Sequence, residues 1–260
     1  MKRISLILFL ISFITINAQT VNQLKPKTNN AFRTGEKLIF DVDYGFISVG
    51  EAEISIPDKK EIMFRKSFHV TFKVKSKPFF DVFFKVRDRY ETYIDSAALI
   101  PWRFEQHVKE GKYQKDYGAF FNHTRNVAIH DNKEYPITDT TQDIISAFFY
   151  VRTLDFSNAK PGFTVHLQNF FNNKTYPLRV IFRDREKVKV ESGTFNCIKI
   201  EPVITDGGLF KSEGRIFIWL TDDEIKMPIK VEAEIPIGSI EAELKSYSGI
   251  YGKLSSKILH

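Results

Sequence analysis

Residues 214–244 contain the pattern that most constrains the fold, because three consecutive segments there repeat with a period of two. In the first segment Ile216, Ile218 and Leu220 alternate with the residues between them, and 229–235 and 240–244 follow the same pattern. A period of two is typical of β-strands, since successive side chains point to opposite faces. The acidic turn 221–224 and the turn 236–238 separate the segments. We therefore predict an antiparallel meander with one apolar face and one mostly charged face.

Similar runs fill most of the remaining chain and are joined by short turns rather than by long crossovers, which favours an antiparallel sheet over βαβ units. The predicted strands lie at 32–44, 51–56, 67–76, 87–94, 102–109, 113–122, 126–130, 133–137, 163–171, 175–183, 187–191, 197–203 and 209–212. Residues 79–86 fit neither period, so this segment is either a helical turn or a strand buried on both faces.

One short helix is predicted at about 140–154. Asp139 and Thr140 are candidate caps, and 157–162 is a turn-rich linker that should end the helix. Asp143, Ser146 and Tyr150 are expected on the more solvent-exposed side of the helix. A broad apolar stripe predicts that the helix packs on the sheet and closes the core; the stripe consists of Ile144, Ile145, Ala147, Phe148, Phe149 and Val151.

The first residues resemble an export signal. Lys2 and Arg3 precede an apolar run at 4–16, and cleavage is expected between Ala18 and Gln19. Thirteen helical residues span about 20 Å against a hydrocarbon core of about 30 Å, so no permanent membrane anchor is expected. We predict an exported protein, with the periplasm as its compartment. The expected organisation is a signal peptide (1–18), a flexible lead-in (19–31), one β-rich domain (32–250) and a tail (251–260).

Composition excludes several classes. The formal charge of +6 includes Lys2 and Arg3, and the remaining charges of both signs are interleaved, which argues against a nucleic-acid partner. A single cysteine, Cys197, cannot form an internal disulfide, and its place on an alternating strand predicts a buried, inert thiol.

Four pieces of the sequence resemble the exported bacterial family known as domain of unknown function 3108. They are the entry FRTGEKL at 32–38, VRDRYE at 86–91, the helix at 143–152, and FIWLTDD at 217–223 with PIK at 228–230. The resemblance covers 32–244. It implies a long antiparallel meander curled into a half-barrel or open sandwich with little helix, in a Gram-negative envelope, and it supplies no catalytic residues.

No motif for catalysis, cofactor binding or metal binding is present, so neither cofactor nor metal is expected. His123 and His130 are the closest histidine pair, and they are expected to be ordinary exposed turn residues. Asp222 and Asp223 could act as paired carboxylates, but their position predicts local hydrogen bonding in a hairpin turn.

Aromatic residues make up 14% of the chain, and a curled sheet could expose some of them in a groove. The candidate residues are Phe79, Phe80, Phe83, Phe84, Phe148, Phe149 and Trp219. The alternative is that they fill the core. We expect a non-enzymatic protein that binds a hydrophobic ligand such as a lipid or acyl chain, or an interaction module for an envelope protein assembly. A hydrolase is the weaker alternative.

Overall fold

The computed structural model describes residues 24–204, 214–236 and 238–259. The predicted signal peptide with its cleavage site at Ala18 and Gln19, the predicted strand 209–212, and His260 lie outside the described residues. The elements are β1 (Lys37–Tyr44), β2 (Ile47–Ile62), β3 (Arg65–Ser76), α1 (Pro78–Asp81), β4 (Arg87–Asp95), β5 (Pro101–Glu110), β6 (Tyr113–Asn122), β7 (Val127–His130), β8 (Lys133–Pro136), α2 (Ile144–Arg152), β9 (Thr164–Phe171), β10 (Lys174–Val190), β11 (Gly193–Ile204), β12 (Ile216–Thr221), β13 (Pro228–Glu234), β14 (Ser239–Ser248) and β15 (Lys257–Ile258).

The fifteen strands of the described residues belong to one antiparallel sheet, in the order β8-β7-β6-β5-β4-β3-β2-β1-β14-β13-β12-β11-β10-β9, with β15 paired to β11. The sheet is open and is not closed into a barrel, which confirms the predicted fold class. At the centre of the sheet β1 pairs with β14, which is distant in sequence, and Val42 lies opposite Ala242. Within the described ranges, no helix is long and apolar enough to cross a membrane.

Irregular pairing curls the sheet. The register shifts in several strand pairs, for example between Val42 and Asp43 and between Trp219 and Leu220, and such bulges increase local twist. The two ends of the sheet approach each other as a result. The Thr175 hydroxyl on β10 donates to the Pro136 carbonyl on β8 over 3.1 Å.

Helix α2 begins later than predicted, because Asp143 rather than Asp139 or Thr140 is its N-cap. The Asp143 carboxylate accepts hydrogen bonds from the backbone N–H groups of Ile145 and Ser146, and from the Thr92 hydroxyl. Asp143 and Ser146 are buried, so the prediction that they lie on the more solvent-exposed side of the helix was wrong. Their polar atoms remain hydrogen-bonded inside the protein, and this compensates for the loss of water.

The core consists of three apolar clusters, and α2 lies between two of them. Phe149 packs in the first cluster beside Phe32 and Phe121, whereas Val151 packs in the third beside Phe182. The predicted role of the helix in closing the core is therefore confirmed.

Strand β12 departs from the prediction of one apolar and one charged face. Phe217 and Trp219 are buried in the second cluster, while Leu220 lies in the third. The Nζ atom of Lys199 lies 4.4 Å from the centroid of the Phe217 ring and 4.5 Å from that of Trp219. Both faces of β12 are therefore covered. Lys199 can lie beside the two aromatic rings because a long basic side chain can lay its apolar stem across them.

One further prediction needs correction, and one open alternative is resolved. The predicted strands 175–183 and 187–191 form one 17-residue strand, β10, whose register shifts between Phe182 and Asp184. A bulge bends a strand without ending it, which explains why the sequence resembled two strands. The ambiguous segment 79–86 is a helical turn and loop, not a buried strand.

Candidate functional site

The seven aromatic residues predicted to line a groove do not lie together. Phe149 and Trp219 are buried in different clusters. Phe148 is half-buried and packs against the first cluster. The remaining four, Phe79, Phe80, Phe83 and Phe84, follow β3 on one short segment. This segment is the part of the predicted site that the structure presents to solvent.

Local sequence explains the shape of the segment. Lys77 precedes a proline and is extended (φ −68°, ψ 151°), as the proline ring requires. Pro78 then occupies the first turn of α1, where its missing N–H costs nothing. The Phe80 and Asp81 N–H groups both donate to the Lys77 carbonyl, and the Phe84 N–H donates to that of Phe80. The backbone is therefore satisfied within the turn.

Polar side chains fasten the segment to the sheet. Arg87 donates to the Asp81 carboxylate, with 3.0 Å between Nη1 and Oδ1, and the Ser76 hydroxyl donates to the same oxygen. Hydrogen bonds from Arg87 and Ser76 lower the pKa of Asp81. The Gly111 N–H donates to the Lys85 carbonyl over 2.8 Å. These contacts hold the turn in place while its apolar side chains face outward.

We call the four most exposed apolar side chains of the segment, Phe79, Val82, Phe83 and Phe84, the apolar rim. Their exposed fractions are 71%, 82%, 76% and 55%. The ring centroids of Phe79 and Phe83 are 6.0 Å apart, so these side chains form a patch rather than isolated exposures. Contiguous apolar surface of this kind is typical of a contact site, because leaving it in water is unfavourable.

More apolar side chains lie at the same end of the sheet, since alternate turns of a meander share an end. Phe46 and Ile47 in the β1–β2 turn are exposed, and so is Tyr113 after the β5–β6 turn. The Lys77 N–H donates to the Val49 carbonyl over 2.9 Å, which places the β1–β2 turn beside the apolar rim.

The β5–β6 turn touches the apolar rim directly. Gly111 has a positive φ of 58°, and a Cβ at this position would lie 3.0 Å from the Phe84 ring. The absence of a side chain at Gly111 therefore allows Phe84 to lie against the turn.

A buried carboxylate, Asp88, lies at the start of β4. Burial raises the pKa of Asp88 to about 6, against the opposing effect of the hydrogen bond from the Lys109 N–H, and nearby Glu110 raises it further. Burial likewise raises the pKa of Tyr90 to about 12. Two acids with different environments can divide acid and base roles, but Asp88 is only 7% exposed and its Oδ1 accepts from Lys109 N–H at 2.9 Å. This geometry fits a structural group.

The predicted carboxylate pair serves a turn. Asp223 Oδ1 accepts from the Thr221 hydroxyl at 2.7 Å and from the Ile225 N–H at 3.1 Å. Asp222 Oδ2 accepts from Arg185 Nε at 3.0 Å. The two carboxylates therefore have separate partners, as the turn prediction requires.

The histidines are dispersed. His123 is buried and His130 lies in strand β7, so the prediction that both are exposed turn residues was wrong. His123 shares a hydrogen bond with the Pro101 carbonyl and His130 with the Gly118 carbonyl, both over 2.7 Å. His69 lies between two carboxylates, with Nε2 2.6 Å from Glu91 and Nδ1 3.3 Å from Asp58. The described residues hold no cluster of three or more side chains suited to a metal ion.

The remaining candidate for chemistry, Cys197, is a buried free thiol, as predicted. Burial raises its pKa to about 12, and the charge of Asp223 acts in the same direction. A thiol in such surroundings is a poor nucleophile.

Sequence reasoning missed two features. It did not separate the phenylalanines at 79–84, most of which are exposed, from the other candidate aromatics, although the absence of a period after Lys77-Pro78 was a signal of irregular structure. It also missed a cavity of about 470 Å³ between the lead-in, α2 and the edge strand β9, lined in part by Lys25, Tyr150 and His166. Because its walls come from distant parts of the chain, no local pattern could have revealed it.

Comparison with known proteins gives a family match and a fold match. The family described as "Protein of unknown function (DUF3108)" matches residues 39–245. No curated protein matches the chain. The crystal structure of a beta-barrel-like protein of domain of unknown function DUF1849 from Brucella abortus is similar, with 10% identity, a TM-score of 0.54, and coverage of 87% of this chain and 100% of that chain.

A protein with a YmcC-like fold from Bacteroides fragilis matches with 12% identity and a TM-score of 0.37, over 84% of this chain and 97% of that chain. At these identities only the likeness of fold to the Brucella protein is informative.

Proposed function

The chain belongs to the DUF3108 family of proteins of unknown function, and from this premise we propose that it is an exported, non-enzymatic envelope protein that contacts a lipid surface through the apolar rim. The observation that carries the proposal is the exposure of Phe79, Val82 and Phe83, each more than two-thirds accessible to solvent, on a segment fastened by polar contacts.

The shape of the apolar rim favours a surface over an enclosed ligand. A pocket for an acyl chain would surround its ligand with apolar walls. Phe79, Val82 and Phe83 instead project outward from a turn, so they can enter an apolar phase but cannot enclose a molecule. We therefore propose a membrane surface, rather than an enclosed acyl chain, as the hydrophobic partner. These side chains can enter such a surface without rearrangement of the sheet.

Basic residues near the apolar rim fit this role. Lys77 and Lys85 flank the segment, and Lys112 lies in the adjacent β5–β6 turn. Lysine side chains beside aromatic rings are common at membrane interfaces, because the ammonium groups remain in water near anionic head groups while the rings enter the apolar layer. We expect weak, reversible binding that is stronger on anionic lipid.

Vesicle flotation tests the proposal. The chain beginning at Gln19 is mixed with vesicles of phosphatidylethanolamine and phosphatidylglycerol, and the bound fraction is measured. Burying one phenylalanine contributes about 1.5–3 kcal/mol, so the double variant Phe79→Asn, Phe83→Asn is expected to bind at least about tenfold more weakly.

The matched control is Phe64→Asn. Phe64 is 96% exposed in the β2–β3 turn at the opposite end of the sheet, and its φ of 63° is tolerated by asparagine. This variant should bind vesicles like the unchanged protein. Equal losses in both variants would show nonspecific hydrophobic adhesion, and no binding by the unchanged chain would refute lipid contact.

Export is tested separately. Fractionation of a Gram-negative host and mass spectrometry of the purified protein are expected to give a periplasmic chain that begins at Gln19. A cytoplasmic chain that keeps residues 1–18 would contradict the proposed compartment.

A further inference from the structure

The two edge strands of the sheet differ in how they are protected. β8 has four residues, KEYP, and ends in a proline that has no N–H. Its Pro136 carbonyl accepts a hydrogen bond from Thr175. Charged side chains and prolines on an edge strand commonly prevent it from pairing with another chain, so β8 is protected. β9 has eight residues, TVHLQNFF, with neither lysine nor proline.

Only one end of β9's outer edge is occupied within the described part of the chain. Gln142 lies beside β9 as a single parallel bridge to Asn169. The Gln142 N–H donates to the Gln168 carbonyl and the Phe170 N–H donates to the Gln142 carbonyl, each over 2.8 Å. Because backbone groups of alternate residues face the same edge, those of His166 face outward as well. The stretch 164–168 is partly exposed and has no strand on this side among the described strands.

The cavity of about 470 Å³ lies along this stretch. His166, Leu167 and Gln168 form one wall, and Tyr150 of α2 and Leu24 of the lead-in contribute to the others. Five residues of strand extend about 17 Å, so the free edge can pair with an extended segment of about that length.

Gln142 connects the edge strand to the wall of the cavity. Gln142 is 1% exposed and lines the cavity, and its side-chain N–H donates to the Leu99 carbonyl over 3.1 Å. Its Oε1 accepts no hydrogen bond from the described residues.

The charges around the cavity select among peptides. Lys25 and Lys27 are exposed at its border, and Lys27 Nζ lies 5.7 Å from the Tyr150 ring centroid. Asp139 is the one carboxylate in the lining, beside these two cations and His166. The balance favours a segment with acidic side chains.

We propose that the free edge of β9 binds an extended peptide with acidic side chains, which adds a strand to the sheet in the cavity bordered by Lys25 and Lys27. The strand would pair with the outward N–H and carbonyl groups of His166 and with the N–H group of Gln168. This site would serve the protein-interaction role that the sequence analysis named as an alternative. It is independent of the apolar rim.

Proline at an edge provides a specific test, because it removes the N–H group that faces outward while the ladder to the neighbouring strand remains. The chain beginning at Gln19 is titrated by NMR with a capped five-residue peptide in which aspartate alternates with valine. We expect amide shifts confined to 164–168 and the Lys25–Lys27 border. His166→Pro should bind at least tenfold more weakly than the matched variant His166→Ala, which loses the same side chain but keeps the N–H.

A second peptide in which lysine replaces aspartate should bind at least tenfold more weakly. Unchanged binding in His166→Pro, equal binding of the two peptides, or shifts that map outside the cavity would each overturn the proposal. Absence of any shift at millimolar peptide would also overturn it. The Phe79→Asn, Phe83→Asn variant should bind the peptide normally, so failure of lipid contact and failure of this site are distinguishable.

Discussion

Arg152 and Glu36 form a bidentate ion pair in which both side chains are fully buried, although 116 residues separate them in the chain. The nitrogen–oxygen distances are 2.7 Å and 2.9 Å. Arg152 also donates to the Ala31 carbonyl and lies 5.1 Å from the Phe149 ring centroid. The pair joins the last residue of α2 to the segment that leads into β1.

Removal of one partner should strongly destabilise the fold. Glu36→Gln leaves the Arg152 charge buried without a carboxylate, and the expected loss in the free energy of unfolding is about 3–5 kcal/mol, measured by urea denaturation. The control Lys37→Gln breaks the more exposed Lys37–Glu53 pair and should cost much less, because solvent screens a surface pair. Similar small losses in both would contradict the assigned role.

The buried carboxylate of Asp88 should make stability fall as pH rises. Its pKa is about 6 in the folded chain and 3.8 is the ordinary value, so the folded state holds more protons between these values. Stability from this group is therefore lost as pH rises from about 4 to 6. Asp88→Asn should be more stable than the unchanged chain at pH 7.5, and the difference should vanish near pH 4.

Asp95→Asn is the control with the opposite sign. Burial would raise the pKa of Asp95, but hydrogen bonds from Arg65, the Ala98 N–H and Trp102 lower it overall. Its stabilising effect is therefore present above the ordinary pKa, and the variant should be less stable at pH 7.5. Urea denaturation at both pH values measures the two effects, and equal signs in the two variants would contradict the assignments.

Asp223 and Asp222 should differ in their effect on stability. Asp223→Ala removes an acceptor for three groups of the β12–β13 turn and for the Ser256 hydroxyl, so a loss of about 1–3 kcal/mol is expected in thermal or urea unfolding. Asp222→Ala breaks one pair with Arg185 at the surface and should cost less than about 1 kcal/mol. Equal losses would show that the turn does not depend on Asp223.

Cys197 should be unreactive in the folded protein. Its sulfur is buried and its pKa is raised to about 12, so little thiolate is available at pH 8. An absorbance assay with an aromatic disulfide reagent should detect no fast modification in buffer and one thiol per chain in denaturant. Rapid, complete reaction of the folded chain would contradict the buried position.

Local patterns predicted the strands well, because side-chain period and turn residues act over a few positions. The β9–β10 hairpin turns at Asn172 and Asn173, which both have positive φ, and asparagine tolerates that conformation. The boundaries of α2 were less accurate. Asp139, Thr140 and Asp143 are all suitable caps, and the contact with Thr92 across 51 residues favours Asp143 by a partner that no local pattern shows.

The candidate site was predicted in part. The segment 79–84 was singled out for its phenylalanines, but the sequence joined it to Phe149 and Trp219, which belong to separate clusters. Aromatic residues are common both in cores and at exposed contact sites, so composition alone could not separate the two groups.

The sequence by itself determined an antiparallel β protein with one short helix, because alternation and turn chemistry are encoded residue by residue. Tertiary structure decided that β1 pairs with β14, that Glu36 and Arg152 meet inside the core, and that Phe79 and Phe83 remain in solvent. These outcomes depend on which distant elements come together. Such pairing follows from the free energy of the whole fold, and no local period specifies it.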